Sequence, residues 1–583
     1  MMKGLYTTIL LWAILAGVKA QSNNTWQGKI DTEVWVAAQQ QSTLEFFVYL
    51  ADQANTTAAK KLTTKNEKGQ LVYQLLQQKA TATQANILQL LQQKNAWHRS
   101  YYIVNGIWVK GDVTLIEQLA RLPEVAKIIP NPEIFNNLPQ DQWQAKSGAS
   151  PSAIEWGIQK INADQVWQQN IRGAGVVIGG QDTGYEWFHP AIKRQYRGDT
   201  TNHNYHWHDA IHTIRDTANL NPCGYNTTEP CDDGSHGTHT MGTMVGDDGN
   251  GNQIGVAPEA TWIGCRNMDR GFGSPATYIE CFEWFLAPTD TNNLNPDPTQ
   301  APHVIANSWA CPPVEGCNPS NFQVMQQAVI NLRNAGVFIE VSAGNGGPSC
   351  HTINSPAAIY PESFTVGATN INDELVNSSS RGTVLVDSSN RLKPNVIAPG
   401  ADIRSCIPGG GYSNKSGTSM AGPHVAGAVA LLIAAQPSLA GNVDSLETIL
   451  EMTADTIIAT DTCAGTLPTQ IPNNMVGYGR INLRRALEYI RPDLFVVVAV
   501  AQLPTNSLQV YPNPLTTQLW LRTEYPLGKS QITISNTLGQ IVFIESTYLS
   551  MNHHLELGEL PKGIYILTIE NEKKYLSTKI MKL

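Results

Sequence analysis

The chain has 583 residues, of which 42% are apolar and only 15% charged, and its net charge is −9. At ~150 residues per domain this length implies about three or four domains, and the composition implies packed cores rather than disorder. No basic block or aromatic-basic stripe is present, which argues against nucleic acid as a partner.

Lys3, the apolar run Leu5 to Val18 and the small-residue ending Val18-Lys19-Ala20 read as a secretory signal, residues 1–20, cut after Ala20. The run is too short to span a bilayer, and no second one follows, so no transmembrane anchor is expected in the mature form. Leu44–Leu50 reads as a strand, Lys68–Lys94 as a helix and Tyr101–Lys110 as a strand. Asp112–Leu122 reads as a helix with an acidic N-cap, and Val125–Ile129 as a strand ending at Pro130. Residues 21–135 therefore form a small α+β unit. Residues 136–153 are polar, with Pro, Ser and Gly, and read as a linker and processing region.

From Ile154 short apolar strands alternate with helices: strands at Gly175–Gly180, Ala260–Cys265, Val304–Trp309, Val337–Val341 and Ser363–Ala368, helices at Tyr278–Phe285 and Phe322–Asn334. Such alternation predicts an α/β domain over 154–492, a parallel sheet flanked by helices, with its site beyond the carboxyl ends of the strands. Residues 493–504 read as a linker. Seven short strands punctuated by Pro512, Asn513, Pro514, Gly539 and Gly563 predict a β-sandwich tail over 505–583.

An export signal permits disulfides among the nine cysteines. Cys223 with Cys231 and Cys311 with Cys317 can staple local loops; Cys265 with Cys281 and Cys350 with Cys406 are weaker pairings. The odd count leaves one thiol over. No C-x-x-C pair suggests zinc, and the crowded histidines His203, His206, His208 and His212 match no zinc spacing.

The chemistry centres on Gly417-Thr418-Ser419-Met420-Ala421-Gly422-Pro423, which runs into the apolar stretch Val425–Ala435. A serine there enters a buried helix beside unpaired backbone N–H groups; the plain alternative is an N-cap. A serine nucleophile needs a base and a group that orients the base. Asp182 ends a strand in Asp182-Thr183-Gly184, and His236 opens His236-Gly237-Thr238-His239.

Three such signatures, in the order Asp182, His236, Ser419, resemble those of the subtilase family, and residues 255–268 resemble its bacillopeptidase F-like branch. The resemblance implies a secreted serine endopeptidase with protein or peptide substrates, made as a self-inhibited preproenzyme. It assigns Ser419 as nucleophile, His236 as general base and Asp182 as its orienting carboxylate. Ser342-Ala343-Gly344-Asn345 matches the segment ending in the oxyanion-hole asparagine, Asn345. Ser308-Trp309-Ala310 matches the segment that binds the substrate backbone, so Ser308, Trp309, Ala310, Ser342, Ala343 and Gly344 are expected to bind substrate. Residues 21–135, ending Pro123-Glu124-Val125-Ala126-Lys127-Ile128-Ile129-Pro130, resemble the family's inhibitory propeptide. The maturation cut is expected between about Phe135 and Ile154.

Two positions depart from the family. Ala310 stands where glycine is usual and should narrow or redirect the pocket. Glu340 interrupts an apolar strand; it must be paired, neutral or wet, or else it shapes the pocket floor. The family implies no required cofactor and leaves room for structural calcium; Asp247–Asn252 also reads as a turn. In the tail, Val510-Tyr511-Pro512-Asn513-Pro514, Thr537-Leu538-Gly539-Gln540, residues 560–565 and Lys579-Ile580-Met581-Lys582 resemble the C-terminal sorting domain of type IX secretion. That implies passage through the periplasm to the surface or medium, with the type IX machinery as a partner. Alternatives are a dedicated processing protease or peptide transferase, or an inactive binding scaffold.

Overall fold

A computed structural model describes residues 26–140, 153–213, 221–312, 317–319, 321–495, 508–571 and 574–583. The expected signal, residues 141–152 of the expected linker and residues 496–504 lie outside the described residues. The chain divides into two units, Met1–Leu494 and Phe495–Leu583.

The first unit opens with α1 (Thr32–Gln40), β1 (Leu44–Leu50), α2 (Lys65–Gln93), β2 (His98–Tyr101), β3 (Gly106–Gly111), α3 (Val113–Ala120) and β4 (Val125–Pro130). The strands form an antiparallel sheet in the order β2-β3-β1-β4. The expected single strand Tyr101–Lys110 is two strands folded on each other around residues 102–105. Asn105 fixes that bend: its side chain donates to the Asp52 carbonyl and the Thr83 hydroxyl. Thr64 and Glu67 form a reciprocal cap on α2, and Asp112 caps α3, so both helix starts follow from the sequence. A two-residue strand, β5 (Ile134–Phe135), then leaves this subdomain.

The next subdomain holds β6 (Ala153–Ile154), α4 (Trp156–Lys160), α5 (Ala163–Trp167), β7 (Val177–Asp182), β8 (Trp207–Asp209), α6 (His236–Val245), β9 (Asn252–Gln253) and β10 (Thr261–Arg266). There follow β11 (Phe272–Gly273), α7 (Pro275–Leu286), β12 (Val304–Asn307), α8 (Phe322–Asn334), β13 (Phe338–Ser342), β14 (Phe364–Thr369) and β15 (Val396–Pro399). It closes with β16 (Ile403–Ile407), β17 (Gly411–Lys415), α9 (Thr418–Ala435), α10 (Val443–Met452) and α11 (Leu483–Ile490). Seven strands make one parallel sheet in the order β15-β14-β13-β12-β7-β10-β8. The strand order reverses beside β7, where such sheets place their sites. Helix α9 is long and apolar enough to cross a membrane, but it is 94% buried and packs on β12, β13 and β14, so it is a core helix.

Cys223–Cys231, Cys265–Cys281 and Cys311–Cys317 are disulfides. The expected Cys350–Cys406 pair is corrected: Cys350 bonds Cys463, and Cys406 is free and buried. Cys350 and Cys463 share a small apolar cluster with Met475 and Val476, whereas the Cys406 thiol faces the Thr238 carbonyl on α6.

In the second unit β18 (Leu508–Tyr511), β19 (Gln518–Thr523), β20 (Gly528–Asn536), β21 (Ile541–Leu549), β22 (Asn552–Glu556), β23 (Gly563–Asn571) and β24 (Lys574–Lys582) form two antiparallel sheets. Their orders are β18-β19-β22 and β21-β20-β23-β24. Alternate residues such as Leu519, Leu521, Ile532, Ile534, Leu567 and Ile569 fill one core between them.

Candidate active site

Asp182 is the last residue of β7, and Gly184 lets the chain turn at once: its φ is +106°, and a Cβ there would lie 1.8 Å from the Cys231 carbonyl oxygen. His236 is the first residue of α6. Its Nδ1 sits 2.8 and 2.9 Å from the two Asp182 carboxylate oxygens, and both side chains are buried. The Thr183 N–H donates to Asp182 at 2.7 Å. His236 Nε2 has no hydrogen-bond partner. Helix α6 packs against α9, whose first turn carries Ser419. The N-cap reading of Ser419 is corrected: Gly417 holds the cap position, so Ser419 lies inside the first turn, where backbone N–H groups lack helical acceptors.

Asn345 follows β13. Its side-chain oxygen accepts from the Thr418 N–H at 3.0 Å and the Thr418 hydroxyl at 3.2 Å, which turns its NH₂ away from that contact. Ser342 donates to the Thr418 carbonyl at 2.9 Å and stands 3.1 Å from the Ser308 hydroxyl. Ser308, Trp309, Ala310, Ser342, Gly344, Asn345 and Ser419 line one cavity of about 270 Å³. Ala343 is buried behind it. Asp182 and His236 are bonded to each other, and the residues from the ends of β12 and β13 share a cavity with Ser419; α6 packs on α9, but no hydrogen bond joins His236 Nε2 to the Ser419 hydroxyl.

Two supports were not legible in the sequence. A row of buried amides crosses the strand ends: Asn267 donates to Gln181, Gln181 to Asn307, and Asn307 to the Glu340 carbonyl. Beside it, the fully buried Arg266 donates to both oxygens of Asp209 and to Asp233. Burial lifts the Asp233 carboxyl to about 7, against the pull of Arg266. Asp233 also accepts from the Arg270 N–H, and so ties the loop before His236 to the segment that becomes β11. Each partner is distant in sequence, and no spacing rule connects them.

The expected linker start is corrected as well. Residues 134–140 form a strap in the cleft. Ile134 and Phe135 pair antiparallel with Gly273 and Phe272. The Asn136 N–H donates to the Gly271 carbonyl at 2.8 Å, and Pro139 accepts from Lys415 at 3.2 Å, next to Gly417. The strap lines the same cavity as Ser419 and Asn345.

Glu340 does not line that cavity. It is fully buried, neither carboxylate oxygen has a partner, and it faces Gly422, where a Cβ would lie 2.1 Å from Oε1. Both the paired and the pocket-floor expectations are therefore corrected. Burial pushes this carboxyl well above its ordinary range, so it is neutral.

The larger cavity, about 580 Å³, lies between α2, β2 and α7. There Glu280 meets Arg99 at 2.7 Å, His208 at 2.8 Å and His212 at 2.9 Å. Burial would raise the Glu280 carboxyl, but Arg99 and His212 outweigh it and hold it low. Glu283 accepts from the Tyr102 and Ile103 N–H groups, and burial raises it to about 8. His203 bonds Tyr196 and His206 bonds Arg197. Among the described residues no three His, Cys, Asp or Glu side chains gather to hold a metal ion. Asp247 instead pairs with Arg172 at 3.2 Å and accepts from the Gly249 N–H.

A parallel sheet with an Asp–His pair at its carboxyl edge and a serine at the start of a buried helix is the architecture of a subtilase. The chain belongs to the subtilase family, whose model matches residues 173–479, a little over half of it. Bacillopeptidase F of Bacillus subtilis (strain 168) is 35% identical over 511 residues, covering 81% of this chain and 33% of that protein. Subtilisin E of the same organism is 30% identical over 290 residues, 49% of this chain and 62% of its own length. The major intracellular serine protease of that strain is 30% identical over 281 residues, 47% and 74% respectively. The chain thus spans about a third of bacillopeptidase F and under two thirds of subtilisin E. Residues 509–583 match the secretion system C-terminal sorting domain.

Proposed function

We propose that the protein is a serine endopeptidase that hydrolyses peptide bonds through an acyl-enzyme and is made as a self-inhibited precursor. The observation that carries this reading is the bond from Asp182 to His236 Nδ1 at 2.8 Å, which leaves the buried Nε2 as the free nitrogen beside the Ser419 helix. His236 takes the Ser419 proton as the hydroxyl attacks the carbonyl carbon, then returns it to the leaving amine; Asp182 stays ionised and orients the imidazolium. The Asn345 NH₂ and the Ser419 backbone N–H stabilise the tetrahedral oxyanion, since both donors are fixed before charge develops.

Residues 21–135 act as the inhibitory propeptide. The strap supports this: it pairs with β11 as an entering peptide would, and it lines the cavity beside Ser419. Maturation then cuts within or after the strap and frees the cleft. The tail directs export by type IX secretion, after Sec-dependent passage to the periplasm, to the surface or medium. No step needs a cofactor, and calcium is assigned no ligands. A fluorophosphonate probe should label the secreted wild type and leave Ser419→Ala unlabelled; equal labelling of both, or of neither, refutes the reading.

A further inference from the structure

Asn136 is the one strap residue whose side chain is read atom by atom. Its Oδ1 accepts from the Ala310 N–H at 2.7 Å. Its Nδ2 donates to the Tyr278 hydroxyl oxygen at 2.9 Å and to the Gly271 carbonyl at 3.4 Å. Asn136 is 7% exposed, whereas its neighbour Asn137 is exposed. The subsite is rigid. Tyr278 stacks on Trp309 with centroids 4.0 Å apart, and both rings are buried. Gly271 belongs to the segment held by Asp233, and the Ala310 N–H follows the buried Trp309.

These three groups match a primary carboxamide: one donor for its oxygen and two acceptors for its NH₂. A carboxylate in the same place sets an oxygen against the Gly271 carbonyl oxygen, which repels it. An aliphatic side chain removes the acceptor that Asn136 Oδ1 supplies to the Ala310 N–H. A site built to bond a polar group rejects analogues that lack it far more strongly than an apolar pocket rejects a changed methylene.

The geometry points to a carboxamide-reading subsite in the substrate cleft, formed by the Ala310 N–H, the Tyr278 hydroxyl and the Gly271 carbonyl, that selects peptides carrying asparagine upstream of the scissile bond. The inference rests on the peptidase reading above and names part of its substrate class.

The test uses the secreted, unlabelled enzyme, its active sites counted by probe labelling of a separate aliquot, and a position-scanning peptide library. At one upstream position, asparagine should exceed aspartate and leucine in kcat/KM by ~10-fold or more. Tyr278→Phe should lower the ratio of asparagine to leucine at that position at least fivefold, a split that a loss of folded enzyme would not produce. A second arm needs no enzyme variant. The peptide of residues 134–140 should inhibit competitively; Asn136→Asp in it should weaken inhibition about tenfold or more, and Asn137→Asp should weaken it far less. Active enzyme, shown as such by labelling of a separate aliquot, that prefers asparagine at no upstream position, or equal inhibition by the two aspartate peptides, overturns the subsite. Failure of the probe to label any protein overturns the peptidase reading itself.

Discussion

Glu340 offers the sharpest quantitative test of the packing beneath the Ser419 helix. Its carboxyl is fully buried, has no partner on either oxygen, and is held neutral by burial. A group whose folded pKa is raised contributes stability fully below its unfolded value of 4.5 and loses it as pH rises toward the folded one. Within that window the native chain keeps a proton that the unfolded chain has shed, so stability falls by about 1.4 kcal/mol per pH unit. Between pH 6 and 8 the stability attributable to this residue therefore falls, by at most about 1.4 kcal/mol for each pH unit. Glu340→Gln keeps the shape and the unpaired polar atoms and removes only the titration. Melting midpoints would be measured for wild type and Glu340→Gln, both in a Ser419→Ala background to prevent self-digestion. The gap between the two should widen in favour of Gln from pH 6 to pH 8, by at most ~3 °C per pH unit, taking ~2 °C per kcal/mol for a large domain. All other titrations are common to both proteins and cancel. Midpoints that run parallel across that range would show Glu340 to be ionised or solvated, and the reasoning would fail.

Gly422→Ala, whose Cβ would meet Glu340 Oε1, should cost ~1–3 kcal/mol, and Glu340→Val should recover most of it; calorimetry of the double variant checks the coupling. Asn345→Ala should reduce kcat by ~10²–10³, with KM moving much less, in steady-state assays of enzyme whose active sites are counted by probe titration of a separate aliquot. Where α2 and β2 meet α7, Glu283 is raised to about 8 and His212 is also raised, so the stabilisation each gives is lost as pH rises; Glu280, held low, stays ionised from pH 6 to 8. Precursor activation should therefore accelerate with rising pH, by at most ~10-fold per unit for each proton released, and Glu283→Gln should flatten the profile, followed by the onset of probe labelling.

What was legible in the sequence was whatever local chemistry dictates. Five strands of the parallel sheet are largely apolar runs, and α2 and α3 carry their own caps, so these could be read from spacing alone; β8, Trp207–Asp209, is no such run and was not. Asp182, His236 and Ser419 stood out because a tight turn or a helix start adjoins each of them, and Asn345 through the family resemblance of its segment. The parts that were hidden are set by partners far apart in sequence. Asn136 looks like a linker residue until Ala310, 174 positions later, supplies its donor. Cys350 could be assigned to Cys406 only because nothing in the chain marks Cys463 as sharing its apolar cluster. Glu340 broke the expected pattern of a central strand, and sequence reasoning sought the compensation in an opposite charge. The compensation is a volume: Gly422, on the facing helix, leaves room for a neutral carboxyl where a Cβ would collide. Gly422 lies in the helix that carries Ser419 and Glu340 faces it from β13, so a substitution at either acts on the ground on which Ser419 stands.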